Sequence, residues 1–179
     1  MEPVAAPSAN RFAGLSPTTA GHVKAAFGEA LPVLEGGPCT VGIESTVVAI
    51  EGGHLKLLRP GMISLGDIKQ AAAQTGQAHP SPGMHAKHYS PRTRLILVKS
   101  QAELPDRTGA YVWRVAPAAH VAAARAVRMP LDAEPYAAEL YRVLHQLDAE
   151  NWPWIAVEMP PDAPDWAAIR DRLQRAAGG

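Results

Sequence analysis

Apolar and polar positions follow two regimes along the chain. In residues 93–179 the pattern is regular. Leu95–Val98, Ala110–Trp113 and Trp154–Met159 are short apolar runs of strand length, and Met129–Leu131 is a candidate for another. Residues 134–149 place Leu140, Val143, Leu144 and Leu147 on one helical stripe, and Trp166–Ala177 does the same with Ile169 and Leu173. Strands alternating with helices predict a small three-layer parallel sheet of the doubly wound kind. No GxGxxG turn accompanies it, so nothing marks it as a dinucleotide site.

Residues 1–76 are sparser. Ser16-Pro17 reads as an N-cap with proline at the first helical position. Val23, Ala26 and Phe27 then give a short apolar face that Gly28 stops. Gly36-Gly37-Pro38 is a turn. The β-branched run at 45–50, Gly52-Gly53 and the alternating His54–Leu58 predict a β-hairpin. An alanine-rich helix is expected near 66–75, ended by Gly76. Two strands and two helices make a poor domain, because a lone hairpin is marginal in water. Residues 1–76 therefore read as the tail of a larger α/β domain with an unpaired strand edge, less stable than 93–179. Between the two regimes, residues 77–92 (QAHPSPGMHAKHYSPR) have the composition of a linker.

Composition narrows the partners. The 47% hydrophobic content is enough for a buried core. Lys plus Arg number 17 and Asp plus Glu 17, a balance without the electrostatic footprint of a nucleic-acid binder, so a small-molecule substrate is expected. The single Cys39 excludes an internal disulfide framework. The first residues lack the basic and apolar regions of a secretory signal, and no apolar run approaches the roughly 18 residues of a bilayer span. These features read as a cytosolic protein.

Four segments could carry chemistry. Residues 6–19 (APSANRFAGLSPTT) combine hydroxyls, an amide and a helix start, which suits either an anion site or an ordinary capped loop. Residues 36–48 (GGPCTVGIESTVV) offer close backbone approach and the Ser45 and Thr46 hydroxyls, or simply a turn feeding a strand. There Cys39 reads as a small buried thiol, and Glu44 as a salt-bridged surface residue before a general base. Arg59, in LLRPG, ends a strand and could grip phosphate at the sheet rim or form an ion pair. In the linker, His79, His85 and His88 have no accompanying Cys or carboxylate and match no zinc spacing, so no metal site is expected. Its other reading is a lid, with Tyr89 on a ligand and Lys87 and Arg92 facing charge.

Together the motifs resemble the threonylcarbamoyl-AMP synthase family. APSAN followed by SPTT, GPCxVGxESTVV, LLRPG and PGMxxxHYSP occur in the family's order. The resemblance implies the C-terminal remnant of a YrdC-like catalytic domain over 1–76 and a proline-rich linker over 77–92. It also implies a Rossmann-like α/β domain over 93–179. It implies a nucleotidyltransferase activity of tRNA threonylcarbamoyladenosine modification. ATP, L-threonine and bicarbonate would give threonylcarbamoyl-AMP and pyrophosphate, with Mg2+ accompanying ATP and no direct tRNA contact. A downstream transferase would consume the product. Ser8, Ser16, Arg59 and Tyr89 then resemble ATP contacts, and Ala6 and Ser45 threonine contacts. Family members begin with over a hundred further residues that carry most of the cationic triphosphate clamp. Little activity is therefore expected of this chain alone. The alternative is a non-catalytic nucleotide- or partner-binding module that completes a split enzyme.

Overall fold

A computed structural model describes residues 7–52, 54–71, 89–115, 121 and 123–178. In the first part, α1 (Ala20–Phe27) precedes β1 (Val47–Glu51), β2 (His54–Arg59) and α2 (Leu65–Ala71). The second part runs β3 (Leu95–Val98), β4 (Ala110–Trp113), β5 (Arg125–Arg128), α3 (Ala133–Ala149), β6 (Ile155–Glu158) and α4 (Ala167–Ala177).

The predicted parallel sheet is present, with four strands in the order β3-β6-β4-β5 and every pair parallel. Its inner strand β6 is apolar and buried, as a strand covered on both faces must be. The strand expected at Met129–Leu131 lies instead at Arg125–Arg128. It is an edge strand, so it tolerates an arginine at each end and hides little apolar surface.

One sheet face, with Leu95, Val112, Ile155 and Val157, packs on Leu140, Leu144 and Leu147 of α3 and Ile169 and Leu173 of α4. The opposite face, with Val98, Tyr111 and Ala156, is covered by Trp154, Leu104, Val121 and Ala123. Among the described residues this outer layer is built of loops and a 3-10 turn rather than a helix.

The first part is less regular and leans on the second. The hairpin forms, with Ala49 and Arg59 as its buried residues. The predicted cap at Ser16 is not used. Helix α1 starts later, with Thr19 as N-cap accepting from the His22 N–H, because the Ser16 hydroxyl has a distant partner. Helix α2 begins at Leu65, and residues 72–88, including most of the linker, lie outside the described residues.

Leu15, Ile43 and Tyr89 enter the same core cluster as α3, α4 and the sheet, with Met62 packed against it. The buried surface of α3 is accordingly wider than a single stripe, running from Tyr136 and Ala137 to Leu147 and Asp148. Asp148 fixes the chain entering β3, accepting from the Thr93 N–H at 2.7 Å and from Arg92 Nε at 3.1 Å. Burial alone would raise its pKa, but the Thr93 and Arg92 donors outweigh that and hold it low.

Gly42 is the tightest point of this seam. Its φ is +82°, and a Cβ there would sit 2.3 Å from the Ala137 carbonyl oxygen and 2.5 Å from Ala138 Cα. The clash is with helix backbone, which cannot swing aside. Gly42→Ala should therefore cost about 1–3 kcal/mol, read from chemical unfolding. An unchanged midpoint would show that the 42–46 segment does not press on α3.

Candidate functional site

The expected site residues come from loops, and the hairpin brings some of them together. Val48 faces Leu57 but Val47 faces Arg59, so Leu58 is an extra residue in β2. Such a bulge re-aims the following side chain. Arg59 is thereby turned inward and buried, not held outward at a rim. Its Nε and Nη2 donate to the Ser45 carbonyl at 3.1 and 3.0 Å, and Nη2 also reaches Ser45 Oγ at 3.4 Å. Its Nη1 donates to the Tyr89 hydroxyl at 2.9 Å. Gly61, just beyond, lets this strand end approach Ser45-Thr46: a Cβ would sit 2.2 Å from Thr46 N.

Ser16 and Glu44 form the second half of the cluster. The buried Ser16 hydroxyl donates to Glu44 Oε1, and the Ser16 carbonyl lies 3.1 Å from His145 Nε2 on α3. The other Glu44 oxygen accepts from Tyr141 Oη at 3.2 Å and Arg172 Nε at 2.7 Å. Arg172 Nη2 also donates to the Glu44 carbonyl at 3.2 Å. Glu44 is thus salt-bridged, but across the seam and mostly buried rather than on the surface. With these donors on its carboxylate it suits a structural hub better than a general base.

Arg172 was not visible as a functional residue in the pattern, although one signal existed. It occupies a buried position between Ile169 and Ala176, within the apolar stripe of α4. Burial works against its charge, but Tyr141 and Glu44 outweigh it, and its pKa lies above the usual value. Its guanidinium carbon lies 5.1 Å from the centre of the Tyr89 ring, a cation–π contact. Burial and the nearby Glu44 charge raise the pKa of Tyr89 and, more strongly, of Tyr141, so both hydroxyls keep their protons.

Tyr89, expected on a lid, is inside the core rather than over an open surface. The next residue fastens it: Ser90 N–H donates to the Ala13 carbonyl at 2.9 Å, and Gly14 and Ser90 form a parallel bridge. The loop after APSAN and the end of the linker therefore hold each other. Ser8 lies apart from this knot, exposed and donating to Asn10 Oδ1 at 2.5 Å. Ser45 is exposed, and its carbonyl does most of the holding. Ala6, His79, His85 and His88 lie outside the described residues. Cys39, expected as a buried thiol, is exposed, and its N–H donates to the Thr18 carbonyl at 2.9 Å.

A cleft of about 630 Å3 lies between α1 and α3, lined by Arg11, His22, Arg92, Arg142, His145 and Asp148 among others. Its cations are engaged: Arg11 with the Ala26 carbonyl, Arg92 with Asp148 and Arg142 with Glu139. His22 and His145 stack here with centroids 4.0 Å apart. No three His, Cys, Asp or Glu side chains gather as a metal nest among the described residues. Magnesium needs no such nest, since one or two carboxylates and the phosphates of a nucleotide suffice, and no step below runs through it.

Polar loops gathered into one knot beside a parallel sheet define an α/β protein with a loop-built site. A family model described as "Threonylcarbamoyl-AMP synthase, C-terminal domain" matches residues 53–178, and one described as "Telomere recombination" matches residues 1–61. The chain belongs to the threonylcarbamoyl-AMP synthase family. It is 32% identical to the threonylcarbamoyl-AMP synthase of Bacillus subtilis (strain 168), over 99% of this chain and 58% of that protein. It is 36% identical to that of Pyrococcus abyssi, over 54% of this chain and 32% of that protein. A crystal structure of P. abyssi Sua5 complexed with L-threonine has the same fold, with a TM-score of 0.76 and 24% identity over 96% of this chain and 57% of that one. The chain thus spans less than two thirds of these relatives.

Burial, then the neighbouring His145 and Arg142, lowers the pKa of His22 to about 4, and burial lowers that of His145. Unfolding returns both toward about 6.5, so the unfolded chain binds more protons below that pH. Stability should be full above pH 6.5 and fall as pH drops toward 4. His22→Gln should flatten that slope in urea titrations across the range, and an unchanged slope would remove His22 from the cause.

Proposed function

We propose that this chain supplies the C-terminal share of a threonylcarbamoyl-AMP synthase site. ATP, L-threonine and bicarbonate are its small-molecule substrates, acting in the cytoplasm. The observation that carries this reading is the Arg59–Ser45–Tyr89 knot, which joins three separate motifs of the family around one guanidinium. In this proposal Arg59 offsets phosphate charge, Ser8 and Ser16 position the nucleotide, and Ala6 and Ser45 approach threonine. Tyr89, held in the core, keeps the Arg59 guanidinium in place for that task. Magnesium would arrive on the ATP phosphates. Among the described residues no helix is long and apolar enough to cross a membrane.

The test is pyrophosphate release from ATP, threonine, bicarbonate and magnesium ion. This chain alone should release little, because phosphate-group chemistry depends on cationic positioning that three loops do not complete. ATP should still bind. Arg59→Lys keeps the charge and loses the fork, and should weaken ATP binding about 10-fold in calorimetry. Unchanged affinity would take Arg59 out of the site.

A second reading has its own support. Phe12, Phe27, Leu31 and Leu34 are 80%, 45%, 42% and 100% exposed, all within one stretch of the first part. Apolar exposure of this kind marks a surface that another element covers. We infer that a polypeptide matching the remaining part of the relatives packs there. Adding it in trans should restore pyrophosphate release, and a mixture as inactive as this chain alone would count against it.

A further inference from the structure

We propose that Arg172 of α4, acting through Glu44, is a positioning residue by which the C-terminal sheet domain sets the nucleotide site. The inference rests on the proposed function for the word nucleotide, but its geometry is independent of it. Ser16 and Tyr89 come from irregular segments that no ladder of backbone bonds holds. Each needs an external fixture, and the same guanidinium serves both.

Its Nε holds the Glu44 carboxylate at 2.7 Å, and that carboxylate takes the Ser16 hydroxyl. Its face meets the Tyr89 ring at 5.1 Å, while the Tyr89 hydroxyl accepts from Arg59. Its remaining nitrogens are tied to the Glu44 carbonyl at 3.2 Å and to Asp171 at 2.6 Å, so the group is fixed in orientation. The side chain is 0% exposed, so it cannot itself greet a ligand. Helix α3 adds Tyr141 to Glu44 and His145 to the Ser16 carbonyl. Apart from Arg59, which ends β2, every one of these fixtures belongs to the C-terminal layer, and every group they fix belongs to the loops.

A purely structural role would be served as well by apolar residues, since replacing a buried ion pair with hydrophobes is often neutral or stabilising. A fork that grips a carboxylate and stacks on an aromatic ring gives orientation that apolar packing does not.

The experiment compares Arg172→Met, Arg172→Lys and the double variant Glu44→Gln/Arg172→Met in the full chain. Three readouts are used: thermal unfolding, ATP affinity by calorimetry and amide exchange at Ser90. Arg172→Met should lower the melting temperature by stranding a buried carboxylate. The double variant should recover most of that loss yet bind ATP at least 10-fold more weakly. In both the double variant and Arg172→Lys, exchange at Ser90 should quicken more than exchange within α3. Recovery of ATP affinity along with stability would overturn the proposal and leave the pair a packing feature. If the unsubstituted chain binds no ATP, the functional reading fails and Ser90 exchange decides the positioning claim alone. Should the double variant not fold, Arg172→Lys decides it, and Ser90 protection equal to the unsubstituted chain would overturn it.

Discussion

A guanidinium buried in the apolar stripe of α4 must find a carboxylate, and the one that grips it through Nε lies across the seam, on Glu44. Desolvating the two ions costs several kcal/mol each, and one contact at 2.7 Å does not offset that. The balance comes from the donors that surround Glu44. Ser16 and Tyr141 satisfy its carboxylate, and Asp171 takes a further nitrogen of Arg172. The pair therefore works only when the 42–46 segment, α3 and α4 are all in place. Gly42 follows from the same constraint, since any side chain there would push Glu44 away from the helices. So does the entry of Leu15 and Ile43 into the main core. The sheet and its two helices share an apolar core, but they complete their buried charge with a residue of the other part.

How much of the fold could be read in advance depended on what each segment packs against. β3, β4, α3 and β6 bury apolar side chains at the period of their own structure, so their positions were legible. β5 escapes the apolar pattern because an edge strand with Arg125 and Arg128 buries little, whereas Met129–Leu131 next to it is more apolar. The N-cap departs from the local pattern for a related reason. Ser16 has the right chemistry and the right proline after it, but its hydroxyl is taken by Glu44, 28 residues away. Local preference gave way to a buried acceptor that no window around Ser16 contains.

The site was half legible. Its loop residues stand in short motifs, so Ser16, Ser45, Arg59 and Tyr89 could be named, and the structure ties them together through hydrogen bonds and one cation–π contact. Ser8 is not in that network. The fixtures Tyr141, His145 and Arg172 are spread over two helices and look like ordinary helix residues. Only the burial expected at position 172 conflicts with its chemistry. An arginine between Ile169 and Ala176 has no solvent to turn to, and that conflict is the readable trace of a polar contact.

Tyr89 shows what this arrangement does to the backbone. Its φ is +63°, a left-handed conformation that a bulky residue adopts at a cost of roughly 1–3 kcal/mol. Such strain persists only where the surroundings over-determine the residue. Here the hydroxyl is held by Arg59, the face by Arg172 and the flank by Tyr141, with ring centres 6.1 Å apart, and Ser90 is bonded to Ala13 immediately after. Two of those holds come from the C-terminal layer, one from the end of β2 and one from a loop. A tyrosine that merely filled a gap would relax to an extended backbone and leave one of them. Keeping all four requires the linker to end where the two parts meet, so the strained residue is also the point at which the position of one part is transmitted to the other.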